Sequence, residues 1–176
     1  MRHIILIGFK NVGKSALGKQ LATRLNMELA DLDECINKDY ASAHGLKRIS
    51  SREIVNKLGL EAFRDLELET FRRLLNEKAN PAVITMGGGA PMNPDIRELM
   101  SGHVLVHVTA PKSIVYERIM VHGRPSFFDK GTDAFDAFEA LWEQRTPVFT
   151  ELADISVSNT GKVSDMVDEI VATLAH

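Results

Sequence analysis

The stretch IILIGFKNVGKSALG, residues 4–18, passes from an unbroken apolar run through a glycine-rich loop into a helix-forming segment. The apolar run at 4–7 has no polar alternation and is typical of a strand buried on both faces of a parallel sheet. After the loop, Leu17, Leu21 and Leu25 recur at helical spacing. The stretch therefore predicts a strand, a loop and an amphipathic helix in succession.

The loop, residues 8–15, matches the pattern G-x-x-x-x-G-K-[ST]. Glycines let successive backbone N–H groups point at phosphate oxygens, and the N-terminus of the following helix adds a partial positive charge. In such a loop Lys14 reaches the β- and γ-phosphates and the Ser15 hydroxyl binds Mg²⁺. A glycine-rich turn that binds nothing is the alternative, but the buried strand before it and the helix after it favour a phosphate-binding loop.

The composition limits the classes of protein that need to be considered. A chain of 176 residues, 44% of them hydrophobic, can form one sizeable core, so we expect a single domain over 1–176. A net charge of −3 argues against general nucleic-acid binding. The single cysteine, Cys35, excludes an intramolecular disulfide and fits a reducing compartment. Since no apolar run is long enough for a membrane span or a signal peptide, we expect a soluble, cytoplasmic protein.

Strand-like and helix-like segments alternate along the rest of the chain, which predicts βαβ units and an α/β fold. We expect a five-stranded, mostly parallel sheet with helices on both faces. The further strands are expected at 28–32, 82–86, 103–108 and 154–157, and the later helices at 51–58, 60–78, 94–100, 112–122, 135–143 and 163–174. Ligands of such sheets bind beyond the carboxyl ends of the strands, so residues that follow the strands should converge there.

Two aspartates come at the end of the second predicted strand. Asp31 and Asp33 are two residues apart, so on a strand their side chains project to the same side. Phosphoryl transfer needs a group that holds the metal and a group that orients or deprotonates the attacking hydroxyl, and two carboxylates can divide these tasks. Capping of a following helix is the alternative role.

Three successive glycines, Gly87, Gly88 and Gly89, follow the third predicted strand. Such a run is costly in chain entropy, which favours close approach of the backbone to a ligand over a simple flexible turn. Their backbone N–H groups could bind an oxyanion or a hydroxyl. A flexible turn remains the alternative.

Two arginines could bind an anionic acceptor. Arg64 follows Phe63 on a predicted helix and pairs with Glu67 at i,i+3. An arginine steadied by a carboxylate can bind a ligand carboxylate bidentately, although such a pair is ordinarily a solvated helix face. Arg145 is expected at a helix end before Pro147, where an arginine ordinarily complements the helix dipole.

The segment 123–133 contains Arg124, Phe127 and Phe128 between glycines. Exposed aromatic residues with an arginine in a loop suggest a lid that closes over the site. The alternative is a small hydrophobic cluster under an ordinary loop.

Taken in order, these motifs resemble the shikimate kinase family: GxxxxGKS, D-x-D, F-R-x-x-E, G-G-G, R-P in a lid and R-x-P, spread over residues 4–174. The resemblance implies the P-loop kinase fold with ATP and Mg²⁺. It implies phosphorylation of a shikimate hydroxyl to give shikimate 3-phosphate, a step of aromatic amino acid biosynthesis. The expected partner is a small hydroxy acid, with no nucleic acid or membrane, and the expected state is a monomer.

The resemblance also implies roles for individual residues. The nucleotide-binding residues would be Gly8, Asn11, Val12, Gly13, Lys14, Ser15 and Ala16, with Arg118 against the adenine. Ser15 would hold Mg²⁺, and Asp31 would assist through water. Asp33 would meet the hydroxyl that is phosphorylated, and Arg124 would bring positive charge to the transferring phosphate, so that Lys14, Asp33 and Arg124 are the catalytic residues. The substrate-binding residues would be Asp33, Arg64, Gly87, Gly88, Gly89 and Arg145.

Several residues depart from the family pattern. Val55 replaces an aromatic residue, Leu60 replaces a glutamate, and Ala16 replaces a second hydroxyl residue. The motifs are closer to those of the shikimate kinase domain of the fungal arom polypeptide. Because the changes concern the walls of the substrate pocket, a kinase for gluconate or quinate and a non-catalytic sensor of shikimate-like ligands remain alternatives. A GTP-driven switch is disfavoured because neither 37–40 nor 56–59 completes an N-K-x-D motif.

Overall fold

The structure is a computed structural model that describes residues 2–121, 124–125, 128 and 131–175. The strands are β1 (Ile4–Ile7), β2 (Glu28–Asp31), β3 (Ala82–Thr85), β4 (Val104–Thr109) and β5 (Ile155–Ser158). The α-helices are α1 (Lys14–Leu25), α2 (Leu32–Ala43), α3 (Ser51–Leu58), α4 (Leu60–Glu77), α5 (Pro94–Met100), α6 (Lys112–Met120), α7 (Ala134–Leu152) and α8 (Val163–Leu174). A short 3₁₀ helix covers Ala90–Met92.

The strands form one parallel sheet in the order β2-β3-β1-β4-β5, so β1 is central. All residues of β1 and β3 are buried, as expected for strands covered on both faces. The predicted parallel sheet is confirmed, and its strand boundaries differ from the predicted ones by one residue at most.

Helices cover both faces of the sheet, which the strand register makes clear. Leu6 pairs with Thr85, and a side chain added at Gly18 of α1 would meet both of these residues. Ile7, whose side chain points to the other face, pairs with His107, and the His107 ring contacts Phe149 of α7. Thus α1 and α7 pack on opposite faces of the sheet. The phosphate loop leads from β1 to α1, and its Phe9 side chain contacts α7.

The structure corrects two predicted positions. Asp33 is not at a strand end: β2 stops at Asp31 and Asp33 lies in the first turn of α2, because the Asp31 side chain caps that helix. Arg145 is not at a helix end either, since α7 continues through Pro147 to Leu152. Proline lacks an N–H and clashes with the preceding turn, but the apolar face of this helix is buried, and its packing outweighs that cost.

Helix α6 ends at Met120, two residues before its predicted end, which lies outside the described residues. Six residues of the predicted lid are described, and the last of them, Asp133, caps α7: Arg124, Pro125, Phe128, Gly131, Thr132 and Asp133. Gly123 and Phe127, which belong to the lid prediction, lie outside the described residues.

Candidate active site

The loop between β1 and α1 needs both of its glycines. Gly8 has φ 137° and Gly13 has φ 109°, a region that other residues rarely adopt. A side chain at Gly8 would overlap the Val108 carbonyl, and one at Gly13 would overlap the side-chain amide of Asn159. That amide donates a 2.8 Å hydrogen bond to the Val12 carbonyl. The residue after β5 therefore fixes the middle of the loop.

Lys14 begins α1, and its side chain is buried under the loop. Its Nζ donates to the carbonyls of Gly8 at 2.9 Å and Phe9 at 2.7 Å. Burial lowers the pKa of Lys14 to about 8, although Asp33 and Asp31 favour the charged form. The structure thus places a cation, held by two carbonyls, at the start of the helix, where a phosphate would be bound.

Asp31 caps a helix and also lies beside two hydroxyl groups. Its Oδ1 accepts from the Glu34 N–H at 3.1 Å, which caps α2. Its Oδ2 accepts from the Thr85 hydroxyl at 2.6 Å and lies 3.4 Å from the Ser15 hydroxyl. A carboxylate and two hydroxyls are hard oxygen donors of the kind that Mg²⁺ prefers. Ser15 and Asp31 therefore fit the predicted metal position.

Asp33 faces the cavity from the first turn of α2. Burial raises the pKa of its carboxyl, and the neighbouring Asp31 raises it further. A side chain at Gly87 would lie 3.1 Å from an oxygen of Asp33. Because Gly87 has no side chain, the Asp33 carboxylate stays open to the cavity.

Arg64 and Glu67 form an ion pair on α4. Glu67 is only 1% exposed, and burial raises its pKa to about 7 while Arg64 opposes that shift. A side chain at Gly89 would overlap the Arg64 guanidinium. Glu67 therefore steadies Arg64, as the pattern F-R-x-x-E predicts, and the missing side chain of Gly89 leaves room for the guanidinium.

Arg145 reaches the same glycine run from α7. Its Nη1 donates to the Gly88 carbonyl at 3.3 Å. Burial lowers the pKa of Arg145 to about 10, and the positive charge of Arg64 adds to that effect. An anion bound between the two guanidinium groups would reduce their repulsion. This is the arrangement expected for a carboxylate-binding site.

One cavity of about 520 Å³ is lined both by residues of the phosphate loop and by Arg64 and Arg145. Among the predicted site residues, those that line it are Asn11, Gly13, Lys14, Ser15, Ala16, Asp31, Asp33, Arg64, Gly87, Gly88, Gly89 and Arg145. The predicted convergence of three strand ends and two distant arginines is therefore present in the structure.

Four predicted site residues are not part of the cavity wall. Gly8 and Val12 contribute the loop geometry described above. Arg118 lies beside the loop: its carbonyl accepts from the Asn11 side chain at 3.0 Å, and its Nη1 is 3.5 Å from the Val12 carbonyl. Arg124 donates to the Thr132 carbonyl at 2.7 Å and lies 5.9 Å from the Phe128 ring centroid. A lid closing over the site stays a prediction.

The cavity also includes residues that were not predicted as part of the site: Lys10, Ser51, Arg52, Phe63, Glu67, Thr85 and Met86. Glu67 and Phe63 were visible in the F-R-x-x-E motif, and Thr85 ends β3, where the strand-end rule applies. No motif in the sequence indicates that Ser51 and Arg52 line the cavity, because their position in its wall depends on how α3 packs. Val55 and Leu60, noted as departures, also line the wall.

Comparison with known proteins places the chain in a family. The family model for shikimate kinase matches residues 10–175. The shikimate kinase of Macrococcus caseolyticus (strain JCSC5402) is 32% identical over 168 residues, covering 94% of this chain and 92% of that protein. No helix within the described parts of the chain is both long enough and apolar enough to cross a membrane.

Solved structures agree with the sequence comparison. Shikimate kinase from Acinetobacter baumannii in complex with shikimate matches with a TM-score of 0.83 and 25% identity, covering 99% of this chain and 93% of that chain. Shikimate kinase from Aquifex aeolicus vf5 matches with a TM-score of 0.76 and 32% identity, covering 99% and 96%. The fold, the ordered motifs and these matches together establish that the chain belongs to the shikimate kinase family, whose members are small-molecule kinases.

Proposed function

We propose that this protein transfers the γ-phosphoryl group of ATP to a hydroxyl of shikimate, which gives shikimate 3-phosphate and ADP. The observation that carries this proposal is one cavity in which a phosphate-binding loop faces two arginines across a carboxylate. Lys14 marks the nucleotide end, Arg64 and Arg145 mark the acceptor end, and Asp33 lies between them. The family membership supports the same reaction.

On the nucleotide side, the backbone N–H groups of residues 8–15 and the N-terminus of α1 bind the phosphates. Lys14 leaves the two loop carbonyls and contacts the β- and γ-phosphates. Ser15 would hold Mg²⁺, with Asp31 assisting through water, and the metal would neutralise charge on the phosphate oxygens when bound. Thr85 keeps the Asp31 carboxylate oriented toward Ser15.

On the acceptor side, Arg64 and Arg145 bind the shikimate carboxylate, and the glycine run contacts the ring hydroxyls. Asp33 accepts the proton of the attacking hydroxyl as the oxygen bonds to phosphorus. The raised pKa of Asp33 suits this role, because a carboxylate of higher pKa is a stronger base. Transfer completes when the bond from the γ-phosphorus to the leaving ADP oxygen breaks.

Arg124 supplies positive charge to the transferring group when the lid, residues 123–133, closes. Exclusion of water by the closed lid prevents hydrolysis of ATP. Hydrogen exchange over this segment tests the closure: ADP and shikimate together should increase its protection, and unchanged protection would reject a lid. The single-domain monomer, its cytoplasmic location, and the absence of nucleic-acid and membrane partners belong to the same proposal.

The decisive experiment is an acceptor screen with the purified protein. ADP release is measured with shikimate, quinate, gluconate or no acceptor, and the position of the phosphate on the product is determined by NMR. Shikimate should give the highest kcat/KM. Faster turnover with gluconate or quinate would overturn the acceptor assignment, and shikimate binding without ADP release would favour a sensor.

A further inference from the structure

We propose that Trp142 is a positioning residue for the nucleotide half of the site, acting through the ring of Phe9 in the phosphate loop. Its fluorescence should also report whether a nucleotide occupies that loop. The inference rests on the proposed function only in that both require nucleotide binding at residues 8–15. No motif in the sequence marked either aromatic residue for this role.

Phe9 lies within the phosphate loop, yet its side chain is buried. Its ring stacks on Trp142, with ring centroids 4.9 Å apart and planes 11° from parallel. The edge of the Phe149 ring meets it at 5.4 Å, and Phe138 lies at 6.1 Å. All three partners belong to α7. The loop is therefore attached to this helix by an aromatic side chain.

The backbone of Phe9 connects this stack to the reacting groups. Its carbonyl accepts the 2.7 Å hydrogen bond from Lys14. The next N–H, that of Lys10, lies 3.0 Å from the position that a side chain on Gly88 would occupy. A shift of the Phe9 ring would therefore move the carbonyl that holds Lys14, and it would move the loop relative to the glycine run.

Helix α7 also carries one of the two arginines proposed to bind the acceptor. Arg145 lies one turn after Trp142 on α7 and donates to the Gly88 carbonyl. Phe138 and Phe149 are fully buried and needed for the core, whereas Trp142 is only partly buried. Because Trp142 is only partly buried, replacing it disturbs the core less than replacing Phe138 or Phe149 would, although it also lies 5.7 Å from Phe138.

The chain has one tryptophan, so its tryptophan emission comes from this position alone. When Lys14 exchanges the carbonyls of Gly8 and Phe9 for a phosphate, the loop beneath the indole changes its contacts. We therefore expect ADP to change the emission of Trp142.

The test compares five variants with the wild type, namely four single changes and the double variant of Phe9→Leu with Trp142→Leu. Trp142→Leu and Phe9→Leu remove the stack, while Trp142→Phe keeps an aromatic ring. Phe135→Leu is the matched control, because Phe135 is on the same helix, is 44% exposed and contacts Tyr116 at 5.3 Å. Melting temperature, ADP affinity by calorimetry, kcat and both KM values are measured for each variant.

Trp142→Leu and Phe9→Leu should each weaken ADP binding about five- to tenfold and lower kcat. The double variant should be no worse than Phe9→Leu, since that change alone already removes the contact between the two rings. Trp142→Phe should restore ADP affinity to within about twofold of wild type, and Phe135→Leu should leave it unchanged. Equal effects of Phe135→Leu and Trp142→Leu would overturn the proposal, as would additive effects in the double variant.

The fluorescence of the wild type provides a measurement that needs no variant. Saturating ADP should shift or quench the emission at concentrations that follow the calorimetric affinity, and Phe9→Leu should abolish the change. The proposal would be contradicted if the emission did not change on adding ADP, or if shikimate alone changed it as strongly as ADP does. If shikimate is not phosphorylated but ADP gives the expected change, the proposed function fails and this inference stands.

Discussion

Asp33 and Glu67 each place a carboxylate oxygen 3.1 Å from the position that a side chain on Gly87 would occupy. Two acidic groups from α2 and α4 therefore approach one point of the cavity wall. Their mutual repulsion raises the pKa of Glu67, in addition to the larger effect of its burial. The ion pair with Arg64 opposes both effects.

Stability should depend on pH through Glu67. Because its pKa is about 7 in the folded protein and 4.5 in the unfolded chain, the folded state binds more protons between these values. The free energy of unfolding therefore falls as pH rises from about 4.5 to 7. Glu67→Gln should lack this contribution, so the stability of wild type relative to the variant should fall by about 1 to 3 kcal/mol over the interval.

Urea unfolding of both proteins at several pH values measures this difference. Glu61→Gln is the control, since Glu61 is an exposed residue in the first turn of α4. Parallel pH profiles for wild type and Glu67→Gln would show that Glu67 titrates normally.

Asp33→Asn should affect catalysis more than binding. The amide fits the same space and cannot accept the hydroxyl proton, so kcat should fall by about 10²- to 10⁴-fold. The acceptor KM should change little. Steady-state kinetics with varied shikimate check this, and a large rise in KM at unchanged kcat would make Asp33 a binding residue only.

Arg64→Lys should weaken acceptor binding and leave the nucleotide side intact. Lysine keeps the charge but loses the planar fork that binds a carboxylate through two hydrogen bonds. A charge-assisted contact contributes about 1.5 to 3 kcal/mol, so the acceptor KM should rise roughly ten- to hundredfold. Arg72→Lys, an exposed change on the same helix, is the control. A raised ATP KM with an unchanged acceptor KM would refute the carboxylate-binding role.

The sequence predicted the parts of the site that lie in local patterns. The phosphate loop and the glycine run follow strands and Asp31 ends one, and strand ends meet at one edge of a parallel sheet. Arg145 was placed at a helix end because Pro147 usually stops a helix, but the buried face of α7 extends past it. The extent of burial depends on long-range packing, which a local pattern does not contain.

Two contacts illustrate this limit. The F-R-x-x-E motif marks Glu67 as a partner of Arg64 but does not indicate its burial, and it is almost fully buried beside Gly87. Asn159 has no motif around it, and its contact with Val12 exists only because β5 pairs with β4. Both depend on residues far away in the sequence.

Lys14→Met should abolish turnover without destabilising the fold. Burial disfavours the charge of Lys14 and lowers its pKa to about 8, so the removal of that charge by methionine, which fills similar space, offsets the loss of the two hydrogen bonds to the loop carbonyls. The melting temperature should stay within a few degrees of wild type or rise, while kcat falls by about 10³-fold or more. Lys19→Met, at an exposed position of α1, is the control. Near-normal activity of Lys14→Met would show that the lysine of this loop takes no part in phosphoryl transfer.

Arg52 should contribute to acceptor binding from α3. It lines the cavity, while the carboxylate of neighbouring Glu53 is engaged by the Ser50 N–H at 2.8 Å and the Ser50 hydroxyl at 2.6 Å. Arg52→Gln should raise the acceptor KM about two- to fivefold, as expected for an exposed contact of about 0.5 to 1 kcal/mol. Arg48→Gln removes the same charge nearby, outside the cavity wall. An equal rise in acceptor KM for Arg52→Gln and Arg48→Gln would indicate that Arg52 attracts the acceptor only through its long-range charge and does not contact it.

The hydrogen bond from Asn159 to Val12 has a consequence for the synthesis of the protein. A nascent chain that has emerged only as far as α7 contains every residue assigned to phosphoryl transfer, but the amide that fixes the loop is still missing. The loop then lacks a contact that holds its middle in place, so we expect a nucleotide to bind the shorter chain more weakly and to stabilise it less. Stabilisation by a bound nucleotide should reach its full extent only after β5 has joined the sheet and Asn159 has followed it.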